Sequence, residues 1–131
     1  MNKYSFTLAG SSLAILSARI YVLSGGNLNY SFLGYELHHF YYGISLLVLA
    51  GLLRIRNKVP ESLNFFFVGL GLGYVTDEFN LLLSIGRSYT LELYYSPVNI
   101  LMDFLLILIL FRLGQNHAYV NGLLYDSETV L

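Results

Sequence analysis

Cysteine and tryptophan are absent from this 131-residue sequence, which also holds only two prolines and few charged residues. Without cysteine, the chain has no disulfide, no thiolate metal site and no cysteine nucleophile. Charged residues make up 11% of the sequence, compared with about 25% in a typical soluble domain. Seven Lys and Arg against eight Asp and Glu give a net charge of -1, so we expect no basic surface that binds nucleic acid. These shortages exclude disulfide-bonded secreted domains and basic nucleic-acid-binding domains.

Apolar residues account for 56% of the sequence, and the mean hydropathy is +0.60. A helix needs about 20 apolar residues to cross the hydrocarbon core of a bilayer. Four runs approach this length, at about 4–23, 33–53, 61–85 and 96–113. The sequence therefore predicts an all-α fold, an integral membrane four-helix bundle. It forms a single transmembrane domain over residues 1–131, with a polar C-terminal tail at 114–131.

Two of these runs depend on a further assumption. The first follows Lys3 and also fits a signal peptide, although we expect it to be a retained first span. The second reaches about 20 residues only if it begins near residue 33 and includes Glu36, His38 and His39. The second span is thus predicted to hold polar residues inside the bilayer.

Basic residues indicate how the four spans are oriented. Of the Lys and Arg residues outside or at the ends of the predicted spans, only Arg87 lies on one side of the bundle. The other side holds Lys3, Arg54, Arg56, Lys58 and Arg112. Because loops rich in Lys and Arg stay in the cytoplasm, both termini are predicted to be cytoplasmic, in a multi-pass protein of the cell membrane.

The ionisable residues inside the spans fall at nearly one predicted depth. A helix rises 1.5 Å per residue, which places Arg19 roughly 6 Å and the others roughly 10 Å from the outer ends of their spans. Buried charges in hydrocarbon are costly unless paired, and they mark functional sites by default. The sequence therefore predicts a buried site of histidine, carboxylate and arginine side chains in the outer half of the bilayer. Its members are Arg19, His38, His39, Asp77, Glu78 and Asp103.

Imidazole and carboxylate groups without thiolate suit zinc, iron or manganese, so the predicted cofactor is one of these divalent metals. Successive helical residues are turned by about 100°, so His38 and His39 are expected to point in different directions, as are Asp77 and Glu78. A carboxylate that does not bind the metal could act as general base, and an arginine could stabilise an oxyanion. The candidate metal ligands are His38, His39, Asp77 and Asp103, the candidate catalytic groups are Glu78 and Arg19, and the candidate lining residues are Tyr42, Ser96 and Asn99.

Three functions are open for such a site. The first is a metal-dependent membrane enzyme that acts on a lipid or a lipid-linked substrate. The second is a non-catalytic accessory subunit of a larger membrane complex, in which the charged layer is an ion-pair network that fixes helix packing. The third is a transporter or proton-relay element, which is disfavoured for a lone chain because the predicted polar layer does not continue into the inner half of the bilayer. The expected partners are membrane lipids, together with other membrane subunits or further copies of the chain.

Small residues in the third span predict a helix interface. Gly69, Gly73 and Asp77 are spaced at i, i+4 and i+8 and therefore form one stripe. Small residues at this spacing let a second helix approach closely, so the stripe is expected to face the bundle. Gly71 lies about 160° around the helix from Gly69, and we expect Gly71→Leu to do less harm than Gly73→Leu.

Tyrosine is frequent on the predicted outer side. An aromatic belt at the membrane interface explains this distribution, and a tyrosine-lined pocket for a lipid or quinone head group is the alternative. Of the 12 tyrosines, the nine on this side are Tyr21, Tyr30, Tyr35, Tyr41, Tyr42, Tyr74, Tyr89, Tyr94 and Tyr95.

Two motifs suggest a family. Residues 35–43 contain a His-His pair followed by aromatic residues and a glycine, and residues 69–78 contain a Gly-Leu-Gly-Leu run followed by an Asp-Glu pair. Both motifs resemble those of small, uncharacterised polytopic membrane proteins of prokaryotes. The resemblance implies no activity, but it groups His38, His39, Asp77 and Glu78 as one set.

Overall fold

Four long helices form the framework of the protein. The computed structural model describes residues 2–24, 30–32, 35–57, 59–79 and 91–128. The predominantly helical fold predicted from the sequence is confirmed in these ranges, and the two short strands and one short helix are additions to it. In chain order the elements are α1 (Lys3–Leu23), β1 (Tyr30–Phe32), β2 (Tyr35–Leu37), α2 (His39–Ile55), α3 (Glu61–Asp77), α4 (Leu91–Tyr94) and α5 (Pro97–Glu128).

The second helix begins later than its apolar length suggested. Strands β1 and β2 are paired antiparallel, with Tyr30 opposite Leu37, so residues 30–32 and 35–37 are extended rather than helical. His38 itself is the N-cap residue, with φ −92° and ψ 157°. Helix α2 therefore begins at His39 instead of near residue 33, and its 17 residues span about 26 Å.

The other boundaries also differ from the predicted spans. Helix α3 ends at Asp77, and the predicted end of that span, residues 80–85, lies outside the described residues. Lys58, Arg87 and Tyr89 lie outside them as well. The residues predicted as a polar tail from 114 onwards continue α5 as far as Glu128.

Helix α3 is the centre of the packing, because it contacts each of the other three long helices. A Cβ atom at Gly73 would lie 2.6 Å from the Ser11 carbonyl oxygen of α1. One at Gly71 would lie 2.7 Å from Leu47 Cγ of α2. The predicted Gly69–Gly73 stripe does face a neighbouring helix, α1. Gly71, expected to be the less sensitive position, is also tightly packed, because α2 occupies that side.

Buried side-chain hydrogen bonds join the same helices. The Ser11 hydroxyl donates to the Gly69 carbonyl oxygen at 2.9 Å, and Asn64 Nδ2 donates to the Ala50 carbonyl oxygen at 2.6 Å. At the start of α1, Asn2 Nδ2 donates to the Gly114 carbonyl oxygen of α5 at 3.1 Å. The bond from Asn2 places the N-terminal end of α1 beside the later part of α5.

Two described helices are long and apolar enough to cross a membrane. They are Lys3–Leu23, with a mean hydropathy of 1.5, and Pro97–Asn116, with 1.9. Helix α2 is apolar but shorter. Large apolar side chains are exposed on the helices, among them Ile20, Leu52 and Phe104.

Candidate functional site

The Arg19 guanidinium joins three helices. Its Nε lies 2.7 Å from Asp77 Oδ1 at the end of α3, and its Nη2 lies 2.8 Å from Asp103 Oδ2 in α5. Its Nη1 donates to the Tyr94 carbonyl oxygen of α4 at 3.1 Å. All three guanidinium nitrogens are thus engaged inside the protein. The three charged residues do meet at one level, as their predicted depths indicated.

Tyr94 completes this group of side chains. The residue is fully buried, and its hydroxyl donates to Asp77 Oδ2 at 2.5 Å. The Arg19 guanidinium carbon lies 4.5 Å from the centre of its ring, within the range of a cation–π interaction. Burial, together with the Asp77 carboxylate, raises the pKa of the Tyr94 hydroxyl far above its ordinary value. The hydroxyl therefore remains protonated and donates to the carboxylate.

Sequence reasoning missed Tyr94, which it assigned to a belt at the membrane interface. For this residue the assignment is wrong, because the ring lies in the core. A buried tyrosine needs a partner for its hydroxyl, and Asp77 supplies one. Nothing in the sequence distinguishes Tyr94 from the exposed Tyr41 or from its half-buried neighbour Tyr95.

Glu78 lies in a second group, next to the first. Its side chain is fully buried, and Oε2 accepts a hydrogen bond of 2.9 Å from the backbone N–H of Phe40, in the first turn of α2. The N-cap residue His38 makes no side-chain capping hydrogen bond, so a residue from another helix supplies the acceptor. A carboxylate also suits this position because a helix N-terminus has a partial positive charge. The predicted catalytic base thus acts as a helix cap.

Both histidines approach the other oxygen of Glu78. His38 Nδ1 lies 3.8 Å and His39 Nδ1 3.6 Å from Oε1. The two side chains were expected to point in different directions because both were placed on a helix. Since His38 is extended, both rings reach the same carboxylate.

Aromatic rings surround His39. Its ring centre lies 5.9 Å from that of Tyr21, 6.2 Å from that of Tyr42 and 6.0 Å from that of Tyr74. Tyr42, predicted to line the site, has an exposed side chain whose ring lies beside that of His39 at an angle of 45°.

Ser96 and Asn99, the other predicted lining residues, hold the start of α5. Asn99 is fully buried, and its Nδ2 donates to the Tyr94 carbonyl oxygen at 3.2 Å. The Asn99 backbone N–H donates to Ser96 Oγ at 3.4 Å. The two residues fix the turn that positions Tyr94 against Asp77.

The predicted site is therefore two adjacent clusters. We call them the Arg19 cluster (Arg19, Asp77, Tyr94 and Asp103) and the Glu78 cluster (His38, His39 and Glu78). The four predicted metal ligands are divided between them, because Arg19 holds both aspartates while the histidines face Glu78. No group of three or more His, Asp or Glu side chains is placed to hold a metal ion in the described ranges. The predicted ligand set for zinc, iron or manganese is not assembled there.

No family model fits the sequence, and neither a curated protein nor a solved structure shows significant similarity to the chain. The side-chain chemistry of the two clusters is consequently the basis for assigning a function.

Proposed function

We propose that the chain is a multi-pass integral membrane protein and a non-catalytic subunit, in which the Arg19 cluster fixes the arrangement of the helices. The engagement of every Arg19 guanidinium nitrogen by Asp77, Asp103 and Tyr94 carries this proposal. An arginine that stabilises an oxyanion directs its donors at a substrate, and three of the five N–H donors of Arg19 bond between helices instead. A general base must reach its substrate, whereas the Glu78 side chain is fully buried and its Oε2 caps α2.

The energetics of charges in hydrocarbon support a structural role. A charged side chain inside a bilayer is tolerated when it faces the protein interior and is paired. Arg19 meets both conditions, since its side chain is only 14% exposed and it has two carboxylate partners. The two carboxylates come from different helices, so only one axial register of α1, α3 and α5 places both of them against the Arg19 guanidinium. The cluster then specifies packing in the way that interhelical polar contacts do in membrane proteins.

The outer surface supports a membrane location. Exposed apolar side chains such as Ile20, Leu52 and Phe104 suit contact with lipid tails. Helices α2 and α3 have 17 residues each, or about 26 Å, slightly less than the roughly 30 Å of hydrocarbon. Local thinning of the bilayer accommodates such a difference at modest cost. A multi-pass arrangement also agrees with the resemblance of the two sequence motifs to small polytopic membrane proteins of prokaryotes.

Cysteine labelling tests the topology. Because the chain has no native cysteine, Asn57→Cys, Asn116→Cys and Glu92→Cys each introduce a single thiol at an exposed position. In intact cells, an impermeant maleimide should label Glu92→Cys and leave the other two unlabelled, because the basic residues stay in the cytoplasm. All three should react after permeabilisation. Labelling of Asn57→Cys but not Glu92→Cys in intact cells would invert the proposed orientation.

Elemental analysis tests the non-catalytic role. Protein purified in a mild detergent and dialysed against zinc, iron or manganese should hold substoichiometric metal, because Arg19 already occupies the aspartates. Asp103→Asn and the control Arg54→Gln should give the same metal content as the unmodified chain. Stoichiometric metal that is lost in Asp103→Asn or in His39→Ala would instead support a metal-dependent enzyme and remove this proposal.

A further inference from the structure

A groove lies between the start of α1 and the later part of α5, at the opposite end of the bundle from the Arg19 cluster. Its volume is about 300 Å³, at the lower end of the range for ligand pockets. Tyr4 lies in one wall and Gly114 in the other. A hydrogen bond of 3.1 Å from Asn2 Nδ2 to the Gly114 carbonyl oxygen joins the two walls. The first and the last long helix thus form the groove together.

The lining of the groove changes from polar to apolar along the two helices. Asn2, Ser5 and Gln115 are its polar residues. Leu8 follows Asn2 by about 9 Å along α1, and Leu110 precedes Gln115 by about 7.5 Å along α5. Because α1 and α5 run in opposite directions, both leucines lie on the same, deeper side. The groove therefore suits an amphiphile whose hydrocarbon chain extends towards the middle of a bilayer.

A cation without a carboxylate partner lies beside the groove. Lys3 Nζ is 5.2 Å from the centre of the ring of Tyr4, a lining residue. Lys3 is exposed, and the ion pairs among the described residues use Arg19, Arg54 or a histidine as the cation instead. Gln115, also exposed, adds amide N–H donors. No acidic residue is among the described lining residues, so the groove attracts an anionic group.

We infer that the groove binds an anionic phospholipid of the cytoplasmic leaflet. Its phosphate pairs with the Lys3 ammonium group and accepts a hydrogen bond from Gln115. One acyl chain lies along Leu8, Leu110 and Phe111. A choline head group would bring a second positive charge to Lys3, so the anionic lipid is preferred. The inference rests on the proposed membrane location and orientation, which place this end of the bundle at the leaflet that holds anionic lipids.

Native mass spectrometry of the full chain in nonionic detergent tests the site. The probes are dioleoylphosphatidylglycerol, the phosphatidylcholine with the same acyl chains, and glycerol 3-phosphate, which has the phosphate without a chain. The anionic lipid should form a one-to-one adduct about fivefold tighter than the choline lipid, the usual effect of one basic residue, and glycerol 3-phosphate should form none. Equal binding of the two lipids would overturn the proposal. Glycerol 3-phosphate bound as tightly as the anionic lipid would also overturn it and indicate a site for soluble phosphates.

Removing one charge tests whether Lys3 supplies the preference. Lys3→Gln should bind the two lipids equally. The matched control is Arg56→Gln, because Arg56 is an exposed cation at the end of α2 and does not line the groove. This control should keep the preference for the anionic lipid. A preference that persists in Lys3→Gln, or that disappears in Arg56→Gln, would overturn the assignment.

Filling the groove is an independent test. A Cβ atom at Gly114 would lie 3.7 Å from Tyr4 Cβ, an ordinary contact, so Gly114→Leu is compatible with the fold and places its side chain in the groove. It should weaken binding of the anionic lipid at least about tenfold. Gly51→Leu introduces the same side chain where nothing lies within 4 Å of a Cβ and should bind as the unmodified chain does. Equal binding by both variants would place the lipid elsewhere and overturn the assignment.

Binding in detergent depends neither on the orientation that cysteine labelling tests nor on the metal content. This lipid site can therefore fail without the proposed function failing.

Discussion

Replacing Arg19 with glutamine is expected to lower the free energy of unfolding by about 3–5 kcal/mol, because it leaves buried carboxylates without their cation. Asp77 and Asp103 would then face each other's charge in the core. The matched control is Arg54→Gln. Arg54 pairs with Glu61 at 3.3 Å, but the two side chains are 57% and 61% exposed, so its loss should cost about 0–1 kcal/mol. Unfolding in mixed micelles with increasing SDS measures both.

A double-mutant cycle separates an ion pair from a general loss of packing. Asp103→Asn keeps the shape of the side chain and removes one negative charge. Added to Arg19→Gln, it should restore part of the lost stability, with a coupling energy of about 1 kcal/mol or more. If the two substitutions proved additive, Arg19 and Asp103 would occupy separate environments, and the structural role of the cluster would have to be given up.

Replacing Gly73 with alanine should destabilise the protein by about 1–3 kcal/mol, the usual cost of overpacking a tight interface. The new Cβ would lie 2.6 Å from the Ser11 carbonyl oxygen and 2.7 Å from Ala14 Cβ. Backbone on one side and a short side chain on the other leave little freedom to move. Gly51→Ala is the control, since nothing lies within 4 Å of a Cβ there.

At Gly51 the substitution should be neutral or stabilising by up to about 1 kcal/mol, because alanine favours a helix over glycine. Thermal unfolding of both variants in the same detergent gives the comparison. Equal midpoints for Gly73→Ala and Gly51→Ala would mean that α1 and α3 are not in close contact at Gly73.

The meeting of Arg19, Asp77 and Asp103 could be predicted from the sequence because the rise of a helix is fixed. Residue counts along three apolar runs convert to similar predicted depths, roughly 6 Å for Arg19 and roughly 10 Å for the two aspartates, and side chains at similar depths can meet where their helices face each other. The Gly69–Gly73 stripe could be predicted for a similar reason, since helical periodicity decides which residues share a face. Both predictions depend only on the rise and the periodicity of a single helix.

The division into two clusters depends on features that apolar length does not reveal. The apolar length of the run from residue 33 predicts a helix there. The strands at Tyr30–Phe32 and Tyr35–Leu37 instead leave His38 as the N-cap residue of α2, in an extended conformation. Because His38 is extended, the side chains of both histidines approach Glu78. The burial of Tyr94 depends on α4 and on the turn held by Asn99, and a polar loop sequence does not fix such a conformation. The divergence of Asp77 and Glu78 and the pairing of Asp77 with Arg19 are both predicted from the sequence, but the hydrogen bond from the Phe40 N–H to Glu78 is not.

The long sequence separations within the clusters impose an order on biosynthesis. Glu78, which accepts a hydrogen bond from the Phe40 N–H, is synthesised 38 residues after Phe40. Asp103 is synthesised 84 residues after its partner Arg19. At synthesis rates of about 5–20 residues per second, the second interval is roughly 4–17 s. In a chain that enters a bilayer as it is made, the first helix therefore holds an unpaired cation until α3 supplies Asp77. The second carboxylate, Asp103, becomes available only when the last helix emerges.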